Sequence, residues 1–212
     1  MSIINSSLKI NKNLLIVVII TLIGLALSFI YLKPFLSFRD TMFLRLDWHK
    51  EFQLTAVTWI TIIKYHQFPF WNPYKTGGNF LFAHPESNSL SPETLLVLLF
   101  GPIKGLYYSV LFFYILSFIG CYFIGKYFRL SFLATLYLAV VFTFQSYVMN
   151  NLFMGASMWM TAGYIPFAFY FLMKTRDKWK YGIIAGFFHA LIYLGGGIYP
   201  FMLFILFAIL FA

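Results

Sequence analysis

Long apolar runs alternate with short polar connections along the chain, except for one extended polar stretch at positions 33–105. Six segments contain no Lys, Arg, Asp or Glu: 14–32, 106–125, 130–148, 155–173, 181–199 and 201–212. Most of them have the roughly 20 apolar residues that a helix needs to cross a hydrocarbon core of about 30 Å. The pattern therefore predicts an all-α fold: a polytopic bundle of transmembrane helices with one long external loop.

The distribution of positive charge predicts the orientation of this bundle. Lys and Arg residues precede the first segment and fill alternate connections, at 126–129 and 174–180, whereas the connections at 149–154 and 195–200 have none. Positive residues are retained on the cytoplasmic side of a membrane. We therefore expect a multi-pass protein of the cell membrane with a cytoplasmic N-terminus, an uncleaved signal anchor at 14–32 and an external loop at 33–105.

The sixth apolar segment is short for a membrane span. Only twelve residues follow Pro200, which is fewer than a crossing helix requires. We expect residues 1–212 to form a single membrane domain that is the N-terminal part of a longer protein.

The external loop has the periodicity of folded helices. Its first predicted helix carries apolar residues at intervals of three and four: Trp48, Phe52, Ala56, Trp59, Ile60 and Ile63. This spacing predicts an amphipathic helix that lies on the membrane with its aromatic side in the interface. A second helix is expected to begin at Ser91 as N-cap, with Pro92 and Glu93 in its first turn, and to stop near Gly101. Proline and glycine residues between these helices predict turns.

Composition and charge narrow the function. The chain is 61% hydrophobic and 10% charged, with a net charge of +9. Most of the excess of Lys and Arg over Asp and Glu lies in the short connections, where it indicates the orientation of the protein in the membrane. We therefore expect no nucleic-acid partner. The lone Cys121 cannot form an intrachain disulfide. Five of the six acidic residues lie in 33–105, so this loop is the expected place for chemistry.

Three loop motifs and two later landmarks carry a resemblance to a known family. The motifs are Asp47-Trp48-His49, the segment from Phe68 to Gly78, and Ser91 to Leu96; the landmarks are Trp159 with Pro166, and Gly195 to Pro200. In their order and spacing they resemble GT-C superfamily membrane glycosyltransferases, with bacterial YfhO-type members as the nearest likeness. The resemblance implies transfer of a sugar from a polyprenyl-phosphate donor to a cell-envelope glycan or lipid acceptor on the external face.

The family places a carboxylate acting as general base, or as a metal ligand, in the external loop. Asp47 is the first candidate because it precedes the amphipathic helix and stands beside Trp48, where partial burial is expected. Asp40 is the second candidate. A structural alternative for Asp47 is a carboxylate that satisfies backbone donors at the helix N-terminus.

Several loop residues are candidates for binding substrate. The cations Arg39, Arg45 and Lys75 can stabilise the negative charge of a donor phosphate, or can extend toward lipid headgroups instead. Aromatic faces stack on sugars and amides bind hydroxyls, so the remaining candidates are His49, Trp71, Asn72 and Tyr74. Trp and Tyr are also common interface anchors of membrane proteins.

A divalent metal is left open, and no cofactor is assigned. Asp47 with His49, and His84 with Glu86, are plausible ligand pairs, and Glu51 lies between them in sequence. These spacings are not specific to metal sites, and exposed polar residues account for them equally well.

The main alternative is a non-enzymatic membrane protein, either a transporter or an envelope-assembly scaffold. A transporter is expected to carry polar or broken spans near the middle of the membrane. Here polarity is concentrated in an external loop, which favours an enzyme. A scaffold can have an equally aromatic loop.

Overall fold

The computed structural model describes residues 12–37, 46–82 and 84–211 of the chain. Most of these residues are helical, which confirms the all-α prediction. The described α-helices are α1 Lys12–Ser37, α2 Trp48–Trp59, α3 Glu93–Phe100, α4 Pro102–Tyr127, α5 Phe132–Thr143, α6 Ser146–Met154, α7 Ile165–Lys174, α8 Lys180–Leu194 and α9 Ile198–Phe211. A π-helical turn, Ile60–Lys64, extends α2, and a 3-10 helix, Ser157–Tyr164, precedes α7.

Helix α4 is the centre of the fold. Helices α1, α2, α3, α5 and α7 and the 3-10 helix all pack on it. The core around α4 contains the fully buried side chains Val110, Phe113 and Phe118. Gly120 lies against Pro166 and Phe167 so closely that a Cβ atom would be 2.6 Å from the proline ring. A small residue at this position lets α4 and α7 approach each other.

Among the residues that the structure describes, two helical stretches are long and apolar enough to cross a membrane: Pro102–Tyr127, which is α4, and Phe132–Met154, which comprises α5 and α6. Shorter apolar helices occur at Val18–Lys33, Lys180–Leu194 and Ile198–Leu210. By length and composition, the two longer stretches support association of the protein with a membrane.

The helix boundaries differ from the sequence-based segments. The predicted segment 155–173 is formed by the 3-10 helix and α7 together, and two further differences concern the segments 130–148 and 181–199. The predicted segment 130–148 is divided, because Gln145 adopts an extended conformation between α5 and α6. The predicted segment 181–199 also ends earlier, since α8 stops at Leu194. A turn at Gly195–Gly197 follows, and Pro200 lies in the first turn of α9. The N–H groups of a first turn have no partner within the helix, so proline costs no hydrogen bond there.

Helix α2 forms where the periodicity predicts it, but its most buried face is a different one. Trp48 is fully buried, whereas Phe52, Ala56 and Trp59 are only half-buried. The polar side chains Glu51, Thr55 and Thr58, spaced at about one helical turn, are buried against the protein instead. Apart from Trp48, the predicted aromatic side is therefore only partly buried, and the face that points inward includes these polar side chains together with Leu54 and Val57.

The second loop helix also differs at its start. Pro92 occupies the N-cap position of α3, and the hydroxyl of Ser91 does not cap the helix. Gly101, with φ of +82°, ends α3, and α4 begins at the next residue. Between α2 and α3 the chain forms a short antiparallel hairpin, β1 Trp71–Asn72 with β2 Asn79–Phe80.

Candidate functional site

The N-terminus of α2 is fixed on the C-terminal end of α6. The backbone N–H of Asp47 donates to the carbonyl of Met154 at 3.1 Å, and the indole N–H of Trp48 donates to the carbonyl of Leu152 at 2.9 Å. Gly155 has φ of +89°, and a Cβ atom there would overlap the backbone nitrogen of Trp48. These contacts hold the first turn of α2 in one position.

Two predicted site residues project from this anchored turn. Asp47 is exposed, so the partial burial expected from its neighbour Trp48 does not occur. Asp47 occupies the N-cap position of α2, but its side chain accepts no hydrogen bond from the backbone of the helix. The alternative in which its carboxylate satisfies backbone donors of α2 is therefore wrong. His49 is also exposed, and its Nδ1 atom contacts the carbonyl of Leu46. The carboxylate of Asp47 is therefore open to an incoming molecule.

One helical turn further, Glu51 is the buried acid of this region. Burial raises the pKa of its carboxyl to about 7, while a hydrogen bond from the Ser157 hydroxyl acts in the opposite direction. The charges of Glu86 and Asp47 raise this pKa further, and the charge of Lys50 lowers it. A carboxyl with this pKa exchanges protons near neutral pH.

Opposite charges meet beside Glu51. Lys50 forms an ion pair with Glu86. The backbone N–H of Glu86 donates to Nδ1 of His84 at 3.3 Å, which leaves the imidazole proton on Nε2. Burial lowers the pKa of His84, and the nearby charges of Lys75 and Lys50 lower it further, against the effect of Glu86.

These residues form one connected group, which we name the outer charged cluster: Asp47, Lys50, Glu51, Lys75, His84 and Glu86. Each member is linked to another through an ion pair, a hydrogen bond or a mutual effect on pKa. The group combines an exposed carboxylate, a buried carboxyl, a neutral imidazole, two cations and a second carboxylate, Glu86, that is ion-paired with Lys50. It contains the ingredients for proton transfer and for binding an anion.

A cleft of about 240 Å³ opens beside this cluster. Its walls include His84, Ser87 and Ser89 on the loop side and Tyr193 and Leu194 at the end of α8. The hydroxyls of Ser87 and Ser89 are hydrogen-bonded to each other at 2.9 Å. Phe82, Pro85 and Leu90 also line the loop side, so the cleft combines a few polar groups with apolar side chains on both walls.

The predicted sugar-binding residues have divergent surroundings. Asn72 is fully buried, and its Oδ1 accepts from the backbone N–H of Tyr74 at 3.0 Å, so it shapes the hairpin turn. Trp71 and Tyr74 are exposed. A hydrogen bond with Tyr65 raises the pKa of the Tyr74 hydroxyl. Trp71 packs edge-on against Phe80 with ring centroids 5.4 Å apart, and Lys75 is half-buried.

A second buried acid lies at the start of α3. Burial raises the pKa of Glu93 to about 8, and its Oε2 atom has no hydrogen-bond partner. The buried hydroxyls of Ser91 and Tyr164 face each other without a hydrogen bond of standard geometry. Oε1 of Glu93 lies 3.1 Å from the position of a Cβ atom at Gly195, so no larger residue fits there unchanged.

Three predicted site residues, Arg39, Asp40 and Arg45, lie outside the described residues. Within the described ranges, no group of three or more His, Cys, Asp or Glu side chains is arranged to hold a metal ion. We therefore derive no step that involves a metal.

The burial of Glu51 and Glu93 is what the sequence analysis missed. Glu51 aligns with Thr55 and Thr58 as a polar stripe on one face of α2, and this stripe is packed on protein. The sequence places Glu93 in the first turn of a helix, a position that does not indicate burial. The partners that bury both acids come from the distant 3-10 helix and the α8–α9 turn, so local pattern cannot identify them.

Comparison with known proteins does not identify this site. No protein-family model, curated protein sequence or solved structure matches the chain. The resemblance to GT-C glycosyltransferases therefore stays a prediction from the motifs.

Proposed function

We propose that this protein is a multi-pass membrane glycosyltransferase with a cytoplasmic N-terminus and an active site on its external face. The donor is a polyprenyl-phosphate sugar, and the acceptor is a cell-envelope glycan or lipid. The two long apolar stretches and the alternation of positive connections support the membrane topology. The motif resemblance supports the reaction class.

The outer charged cluster is the observation that supports this proposal best. Its exposed acid, Asp47, is held by backbone contacts on α6, and its imidazole, His84, lines a cleft of about 240 Å³. Glycosyl transfer requires both a carboxylate to receive a proton and positive groups to stabilise a departing phosphate. The outer charged cluster contains a carboxylate that can receive the proton and lysines that can stabilise the phosphate.

Asp47 is the proposed general base. As the acceptor oxygen forms a bond to the anomeric carbon, the hydroxyl proton passes to the Asp47 carboxylate. The bond between the anomeric carbon and the phosphate oxygen breaks, and the polyprenyl phosphate leaves as an anion. Glu51 is buried and acts as a positioning residue, because its protonation alters the field at Asp47. Asp40 remains the alternative base.

Lys75 and His84 are the proposed phosphate contacts among the described residues. Lys75 contributes a positive charge, and the Nε2–H of neutral His84 is a hydrogen-bond donor at the cleft. Arg39 and Arg45 are further candidates from the sequence. Trp71 and Tyr74 present exposed ring faces on which a sugar can stack, whereas Asn72 serves the hairpin turn.

The test is sugar transfer in membranes that contain the full-length protein and labelled polyprenyl-phosphate sugars. Asp47→Asn is expected to lower the rate by about 10²–10⁴-fold at equal expression, the usual contribution of a general base. Asp177→Asn, an exposed acid in the α7–α8 connection, is the matched control and should retain the wild-type rate. Equal rates for the two variants would refute the assignment of Asp47. No transfer by wild type from any donor would favour a scaffold or transporter.

A further inference from the structure

Three phenylalanine rings form an exposed patch on the loop that carries the β1–β2 hairpin. Phe68, Phe70 and Phe82 are 43%, 62% and 41% exposed. Their centroids are 4.6 Å apart between Phe68 and Phe70, 5.2 Å between Phe68 and Phe82 and 6.0 Å between Phe70 and Phe82. We name this group the phenylalanine patch. Its rings pack on one another, yet each leaves much of its surface uncovered.

A surface of this kind is unfavourable in water. Phenylalanine has no polar atom, so its exposed area gains nothing from hydrogen bonding to water or to sugar hydroxyls. Burial of apolar surface is favourable by about 25 cal/mol per Å². A group of contiguous exposed rings therefore indicates a contact with another apolar phase.

The charges around the patch indicate which phase this is. No Asp or Glu occurs from position 52 to position 85, whereas Lys64 precedes the patch in sequence and Lys75 lies between Phe70 and Phe82. Lys64 lies over the ring of Tyr65, with its nitrogen 5.6 Å from the centroid. Aromatic residues and lysines in a stretch of sequence without acids match a bilayer surface whose headgroups are anionic.

We infer that the phenylalanine patch inserts into the outer leaflet of the membrane, with Lys64 and Lys75 at the level of the anionic headgroups. The hairpin thereby becomes a third point at which the external layer is attached to the bilayer, in addition to the covalent connections to α1 and α4. This attachment does not depend on the reaction that the protein catalyses.

The depth of a spin label at position 70 tests this inference. Phe70→Cys is labelled with a nitroxide in the full chain, reconstituted in vesicles of phosphatidylcholine and phosphatidylglycerol; native Cys121 is buried and should not react. The label is expected about 5–10 Å below the headgroups, the depth of interfacial apolar faces. It should be accessible to oxygen and protected from an aqueous nickel complex. A label at Asp177→Cys, on an exposed polar loop, should be accessible to the nickel complex.

A second variant tests the role of charge. Lys64→Gln combined with Lys75→Gln should move the label at position 70 outward in phosphatidylglycerol vesicles and have little effect in pure phosphatidylcholine. Nickel accessibility at position 70 equal to that at 177 would overturn the inference. A label protected from both oxygen and nickel would also overturn it, because it would indicate that the patch packs against protein.

Discussion

The buried carboxyl of Glu93 makes a prediction about stability and pH. Burial raises its pKa from 4.5 to about 8, so the folded state binds its proton more tightly than the unfolded state does. The stabilisation linked to this proton is fully present below pH 4.5 and is lost as pH rises to about 8. At about 1.4 kcal/mol for each tenfold change in proton affinity, the loss is about 5 kcal/mol.

Glu93→Gln isolates this contribution, because glutamine has nearly the same shape and does not ionise. The free energy of unfolding should be compared between variant and wild type in detergent micelles, from about pH 4.5 to about pH 9, by tryptophan fluorescence during denaturant titration. The free energy of unfolding of Glu93→Gln, relative to that of wild type, should increase by about 5 kcal/mol across this range. Glu51→Gln, with a wild-type pKa of about 7, should show a smaller increase of about 3 kcal/mol.

Asp177→Asn removes an acid from an exposed loop and controls for the loss of one negative charge. A difference between Glu93→Gln and wild type that stays constant across the pH range would refute the reasoning. It would mean that Glu93 is hydrated in the folded protein and that water reaches the region around the Ser91 and Tyr164 hydroxyls.

Three other predictions concern the anchored turn of α2 and the cleft. Trp48→Phe leaves the carbonyl of Leu152 without its indole donor and should lower the free energy of unfolding by about 1–3 kcal/mol, measured by the same titration. Gly155→Ala introduces a Cβ atom at a positive φ against the backbone of α2; it should abolish transfer while circular dichroism shows unchanged helix content. Lys75→Gln should weaken binding of polyprenyl phosphate by about tenfold in equilibrium dialysis with mixed micelles, whereas Lys126→Gln should not. Normal activity of Gly155→Ala or equal affinity of the two lysine variants would contradict these expectations.

Much of the helical layout follows from local pattern. Apolar runs identify α1 and α4, and the three-and-four spacing identifies α2. The sequence does not reveal that α2 buries Glu51, because that depends on Ser157 and on the packing of the distant 3-10 helix. The division between α5 and α6 is also hidden, since the apolar run continues through Gln145 without a proline or glycine.

The candidate site is accessible to sequence reasoning only in part. The concentration of acids in one loop leads to Asp47, and the motifs lead to Lys75. Whether those residues meet depends on long-range contacts, such as the ion pair of Lys50 with Glu86, that no spacing rule predicts. The same limit explains Asn72, which was expected to bind sugar: its amide is buried in the turn that it stabilises.

The reaction itself is the central claim, and its leaving group is the most direct measure of it. The full-length wild-type protein should be purified, reconstituted in bilayers and given a panel of polyprenyl-phosphate sugars with cell-envelope extract as acceptor. Free polyprenyl phosphate and labelled glycosylated product are expected to appear in equal amounts from one donor. Absence of both from every donor, with protein that is folded and correctly inserted, would contradict the assignment as a glycosyltransferase.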